Sequence, residues 1–189
     1  MAIDVETIGG SSCTEVSGAF SHTELYVALL EDFETLTEPK ERCGNEAAAT
    51  LEELVTITAD HAFKTGKGFT KIKCIADTVG LESNQIGDVT KSPAIENKLS
   101  VQILGSTPEI LGYKRLIKGR DLIVLAPEFG SGQVRQIGSA KYPTRMGELS
   151  SKIEPTVEGE NTSSMVFMDK QRYDAPIYKG AITLQPESI

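Results

Sequence analysis

The residues of this chain that could carry chemistry are few and scattered. Ser11-Ser12-Cys13, with His22 and His61, offers hydroxyls, a thiol and imidazoles, but no GxSxG elbow or related spacing joins nucleophile to base. The segment TGKGFTK at 65–71 comes nearest to a phosphate loop. It fails the GxxxxGK[ST] rule, because Lys67 is followed by Gly68 and no helical periodicity comes after it, so a turn feeding a strand is expected. The adjacent acids Glu31-Asp32 and Glu52-Glu53 could do acid–base work or bind Mg²⁺ or Ca²⁺. Without a DxDxDG-type loop they read as a solvated acidic face. Cys13, Cys43 and Cys74 are odd in number and lack a CxxC spacing, which reads as three unpaired thiols in a reducing compartment. Asn161-Thr162-Ser163 matches a glycosylation sequon by spacing alone. No catalytic residue, metal ligand or cofactor site is therefore expected.

Composition bounds the class. Hydrophobic residues make up 39% of the 189 and charged residues 24%, the balance of a chain that folds around one core. No apolar run approaches the roughly 20 residues that cross a bilayer, and MAIDVETIGGSS is not a secretory leader. The formal charge of −8 argues against a surface built to grip phosphate backbones. That charge is unevenly spread: residues 1–63 hold thirteen acids against Lys40 and Arg42, whereas 64–189 hold fourteen acids against seventeen bases.

The elements that must position any site follow from hydrophobic period and turn residues. Residues 1–22 read as an N-terminal arm, and 23–189 as a single domain with long loops at 31–50 and 143–162. Period-two alternation predicts strands over 22–30, 54–59, 68–77, 98–106, 163–172 and 177–184. Residues 119–140 predict a hairpin, with an apolar run to Ala126, Pro127 as its stop, Gly130 and Gly132 in the reversal, and Val134 and Ile137 on the return. One helix is predicted at 108–117. Thr107 is its cap, Pro108 opens it, Ile110, Leu111, Tyr113, Leu116 and Ile117 form its apolar stripe, and Gly119 stops it. The expected class is mainly β (α+β), a β-sandwich or barrel flanked by one short helix. Its core should include Val55, Ile57, Ile72, Leu99, Val101, Ile103, Leu122, Val124, Val166 and Ile182.

The order NKLSVQILGSTPEILGYKRLIKGRDLIVLAPE, then QVRQIGS, then APIYKGAITL resembles tail tube (major tail) proteins of tailed bacteriophages over roughly residues 55–184. That resemblance implies a virion structural protein, assembled in a host cytoplasm. It also implies homo-oligomeric rings, hexameric in that family, that stack with other tail proteins into a conduit for DNA ejection. DNA would pass without specific binding, and no membrane is involved. It brings no catalytic residue. Combined with the charge asymmetry, it makes Glu31, Asp32, Glu34, Glu38, Glu52 and Glu53 candidates for the lumen or the ring-to-ring contact, with Lys71, Lys73, Lys114 and Arg115 nearer the opposite face or exterior. The alternatives are another virion component (tail terminator, connector or decoration protein) and a metal-dependent hydrolase using the acids of 31–53.

Overall fold

A computed structural model describes residues 24–44, 47–91, 93–128, 131–156, 159 and 161–186. The predicted arm at 1–22, with Cys13 and His22, and the hairpin tip Phe129-Gly130 lie outside the described residues.

The described elements are β1 (Glu24–Leu29), β2 (Phe33–Thr35), β3 (Thr56–Ile57), β4 (Ala62–Phe63), β5 (Thr70–Lys73), β6 (Gly80–Ile86), β7 (Ala94–Leu104), α1 (Pro108–Ile117), β8 (Leu122–Pro127), β9 (Val134–Ile137), β10 (Arg145–Ile153), β11 (Asn161–Gln171) and β12 (Ile177–Tyr178). Single 3-10 turns at Leu30–Asp32 and Glu52–Leu54 precede β2 and β3. Among the described residues two open sheets face each other as a sandwich and do not close into a barrel. One sheet has the order β3-β12-β9-β8-β1-β5 and the other β10-β11-β7-β6, while β2 and β4 form a small flap.

The sandwich follows from the alternation. Leu25, Val27, Ile72, Leu122, Val124 and Ile137 of the first sheet meet Leu99, Val101, Ile103, Met165 and Phe167 of the second, and Ile117 of α1 closes one end. On the reverse face of the first sheet, Ala28, Ile123, Leu125, Ile57 and Tyr178 pack under Phe33, Phe69 and the flap. Strand β8 thus has both faces buried: Leu122 through Ala126 are all 0% exposed, the uniform apolar run expected of a strand covered on two sides. The hairpin predicted over 119–140 is present as β8–β9, with Val124 opposite Ile137.

Helix α1 begins where its cap predicts: the backbone N–H of Ile110 donates to Thr107 Oγ1 at 3.5 Å. Its buried side holds Ile117 and Lys114, while Leu111 and Leu116 are exposed. The predicted stripe therefore had the wrong phase by part of a turn, and Lys114 is not on an exterior face.

Other expectations are corrected. The segment 143–162 is not a long loop, since β10 fills 145–153 and β11 begins at Asn161. Residues 80–86, where no strand is predicted, form β6. Both are edge strands with almost every side chain exposed, so backbone ladders hold them and no apolar alternation announces them. In the segment 31–50, a 3-10 turn and β2 replace the start of the expected loop. Val55 is 38% exposed because it ends the turn at 52–54, and the strand expected over 54–59 shrinks to Thr56–Ile57. Val166 is half-buried on the outer face, since Met165 and Phe167 take the inward positions opposite Val101 and Leu99. Beyond Tyr178 the predicted last strand leaves the sheet, and Ile182 packs, partly buried, under the flap side.

Val124→Asp places an unpaired carboxylate between two packed sheets. A destabilisation above about 4 kcal/mol is expected, seen as loss of the cooperative thermal transition. Ser100→Asp on the exposed outer face of β7 should melt within a few degrees of the parent.

Candidate functional site

Among the described residues, polar groups gather on two surfaces and in one buried network. The first surface is the four-stranded sheet. The N–H of Gly105 donates to Asn161 O at 2.8 Å, which sets the phase of the β7–β11 ladder: odd-numbered residues of β11 bond towards β7 and even-numbered ones towards β10. Through the pairs Leu149↔Met165 and Ser151↔Ser163, the backbone groups of Leu149, Ser151 and Ile153 therefore point out of the sheet edge. By the same alternation Leu81, Ser83 and Gln85 point outward from β6. Among the described residues the sheet thus presents two long open edges, one on each side.

Its outer face is polar and internally paired. Lys98 and Lys170 both reach Glu96, at 3.1 and 3.7 Å, and Lys152 meets Glu154 at 2.5 Å. At one end of the inner face, Lys114 of α1 is buried and donates through Nζ to Ser151 Oγ at 2.6 Å and Ser163 Oγ at 3.1 Å. The lysine pins the helix onto β10 and β11, with two hydroxyls taking the place of water around its ammonium.

The second surface is the acidic stretch over the reverse face of the first sheet. Glu31 pairs with Arg120 at 3.5 Å, Asp32 with Lys67 at 3.1 Å, Glu52 with Lys179 at 2.6 Å and Glu53 with Lys40 at 2.9 Å. Glu38 accepts from the Ala140 N–H at 2.8 Å, and Glu34 is exposed on β2. The Lys40 ammonium, and then the Ala49 N–H, hold the Glu53 carboxyl below its usual range. These acids are spread along the flap and its loops, and Glu31, Asp32, Glu38, Glu52 and Glu53 are answered within the chain. Exposed pairs of this kind, screened by water, contribute little stability.

The network runs through the core. Asp169 accepts from Asn97 Nδ2 at 2.8 Å, from the Gly138 N–H at 2.6 Å and from Gln171 Nε2. Asn97 in turn accepts from Ser83 Oγ at 2.6 Å. Gly138 lies at φ +97°, and a Cβ there would meet Thr144 Oγ1 at 2.6 Å, so the turn after β9 can approach the carboxylate only as glycine. Gln136 donates to Gly138 O at 3.1 Å and faces His61 Nε2 at 2.9 Å. His61 Nδ1 accepts the Thr37 N–H at 3.2 Å. Gln136 uses its amide N–H on Gly138 and its oxygen on His61, so the neutral imidazole carries its proton on Nε2. Burial lowers the His61 pKa and raises that of Asp169.

The sequence offers His61 only as an imidazole that no spacing joins to a nucleophile. It is buried, stacked on Tyr178 with ring centroids 4.4 Å apart, and it latches the acidic loop to the sandwich. No local spacing could reveal this, because its partners lie at 37, 136 and 178. The 65–71 segment is the turn expected: Lys67 serves Asp32, and Gly68 lies against the backbone of Leu184. Cys74 is buried, its thiol pushed up to about 11, while Cys43 is exposed. The sequon residues lie in β11, with Thr162 and Ser163 buried. Among the described residues no three His, Cys, Asp or Glu side chains are grouped to hold a metal ion. Compared with family models, with curated proteins and with solved structures, the chain matches none.

Because the folded state holds His61 neutral, its contribution is complete above the unfolded histidine value of about 6.5 and is lost as the pH falls below it. Melting curves from pH 7.5 to 5.5 should show a falling midpoint for the native chain. His61→Gln, which keeps a donor and an acceptor without a titrating ring, should have a flatter profile. Equal slopes for the two proteins would remove His61 as the cause.

Proposed function

We propose that this chain is a structural subunit of a virion tail tube, forming homo-oligomeric rings that stack into a conduit for DNA. The observation that carries the reading is the pair of long open edges, β6 with seven residues and β10 with nine, on opposite sides of one sheet. Exposed edges of that length are templates for further strands, and monomeric proteins usually blunt or cover them. Joining β10 of one copy to β6 of the next is a heterologous contact that can close into a ring, and closure leaves no edge.

In such a ring the outer face of the four-stranded sheet lines the lumen. Its lysines 98 and 170 are already answered by Glu96. A wall with its cations neutralised offers few phosphate contacts, so a duplex can slide past it. Glu31, Asp32, Glu34, Glu38, Glu52 and Glu53 then lie beyond the first sheet, on the ring-to-ring contact and outer wall, and not in the lumen. The polar outer face of the sheet takes the lumen role that the charge asymmetry had assigned to those acids.

Leu149→Pro tests the edge directly. It removes an outward-facing N–H while leaving the β10–β11 ladder its donors. Negative-stain images of the native chain should show rings or tubes, and the variant should melt as a folded protein yet stay monomeric. A native chain that remains monomeric at high concentration, or a variant that assembles equally well, counts against the reading. Single rings that never stack would point to a terminator or connector.

A further inference from the structure

Strand β7 joins two features that lie at opposite ends of the four-stranded sheet. At its start, the turn from β6 projects past the end of β11, whose last residue Gln171 pairs with Ile95. Within that turn the Asp88 carboxylate accepts the Thr90 N–H at 3.0 Å and the Thr90 hydroxyl at 2.7 Å, and the Lys91 N–H donates to Asp88 O at 2.9 Å. These local bonds hold residues 88–91, the tip, in one shape. Val89 in the tip is 74% exposed, with an acid before it and a base shortly after. At the other end of β7 a cleft of about 500 Å³ lies between β5, Ile103-Leu104 and α1, with Ile72, Ile103, Ile110 and Tyr113 as its apolar lining. Lys71 and Lys73 flank it on β5, and Glu109 flanks it on α1. Lys71 pairs with Glu24 at 2.7 Å, which leaves Lys73 without an ion pair among the described residues.

We infer that the tip of one copy seats in the cleft of a copy in the next ring, with Val89 packed against Ile103, Ile110 and Tyr113. This rests on the ring reading above. When β10 and β6 join edge to edge, the strands run between the two rims of the ring. At about 3.3 Å per residue, the length of β7 sets tip and cleft roughly 35 Å apart, so the tips crown one rim and the clefts the other. Every junction of a head-to-tail stack then brings the two together, a heterologous contact that repeats along the tube. The charges are complementary too: Asp88 can meet Lys73 on the β5 side while Lys91 meets Glu109 on the α1 side, and the two opposite pairings fix which way the tip enters. A second copy is favoured as the occupant because its tip carries an apolar group flanked by both signs, already held in shape by its own hydrogen bonds, so little order has to be imposed on docking.

Val89→Asp tests the contact, since it puts a carboxylate into an apolar cleft yet alters an exposed side chain of the free subunit. The variant should melt with the native chain and form rings, while the concentration at which tubes appear rises about tenfold or more. Lys73→Glu should shift it in the same direction. Val89→Cys combined with Ile110→Cys, in a chain also carrying Cys13→Ser and Cys43→Ser, should cross-link on mild oxidation into a covalent ladder in tubes and stay monomeric in unstacked rings. A native chain that forms no rings overturns the ring reading and this inference together. Native rings that never stack, or tubes that form equally well with Val89→Asp, overturn this inference and leave the ring reading standing. Loss of stacking in Val89→Asp without cross-linking of the cysteine pair also overturns it, because the tip would then dock elsewhere and another segment or an apolar ligand would hold the cleft.

Discussion

Burial of β8 on both faces is the constraint on which the rest of the structure depends. Leu122, Val124 and Ala126 need an apolar layer on one side, and Ile123 and Leu125 need another on the opposite side. At about 1.5–3 kcal/mol for each large side chain removed from water, neither layer is dispensable. The four-stranded sheet with α1 supplies the first layer. The second is thin, a two-stranded flap and its flanking turns, and it relies on aromatic mass: Phe33 lies 4.3 Å from Phe63 and 5.7 Å from Phe69, centroid to centroid.

Hydrophobic layers alone leave the relative position of the two sheets loosely specified, and the buried polar network removes that freedom. Asp169 on β11 accepts from Asn97 on β7 and from Gly138, the residue after β9, so a single carboxylate joins both sheets. Each donor left unmatched in the core would cost about 1–3 kcal/mol, which penalises any slip of one sheet over the other. Through Gln136 and His61 the same network extends to Thr37, so the loop bearing the acids is tied to the register of the core.

The open hydrogen-bonding capacity is unequally divided between the sheets. The first sheet ends in β3 and β5, two and four residues long, and the 183–185 segment already covers the start of β5. The second sheet ends in strands of seven and nine residues. Short edges offer few unpaired backbone groups and long edges offer many, so among the described residues most of the unpaired edge belongs to the second sheet. The distribution of formal charge along the chain has little part in this, because most of the acids of 31–53 find a base or a backbone N–H nearby.

By itself the sequence determined the elements whose signals are local. The apolar run of β8, the glycine-bearing hairpin to β9, the Thr107 cap and Pro108 start of α1, and the clean alternation of β5 and β7 were legible because each depends on a few adjacent side chains meeting one core. The mainly-β class with a single helix followed from them. Only the tertiary structure decided which face of β11 points inward, since Met165, Val166, Phe167 and Met168 make either face apolar and pairing with β7 breaks the tie. It also decided that Lys114 lies inside, because two serines from distant strands accept its protons, and that His61 is a buried latch whose partners are up to 117 residues away. The two long edge strands were hidden for a related reason. Their side chains face water and their stability comes from backbone ladders to β11 and β7, and a hydrogen bond between peptide groups leaves no mark on residue type.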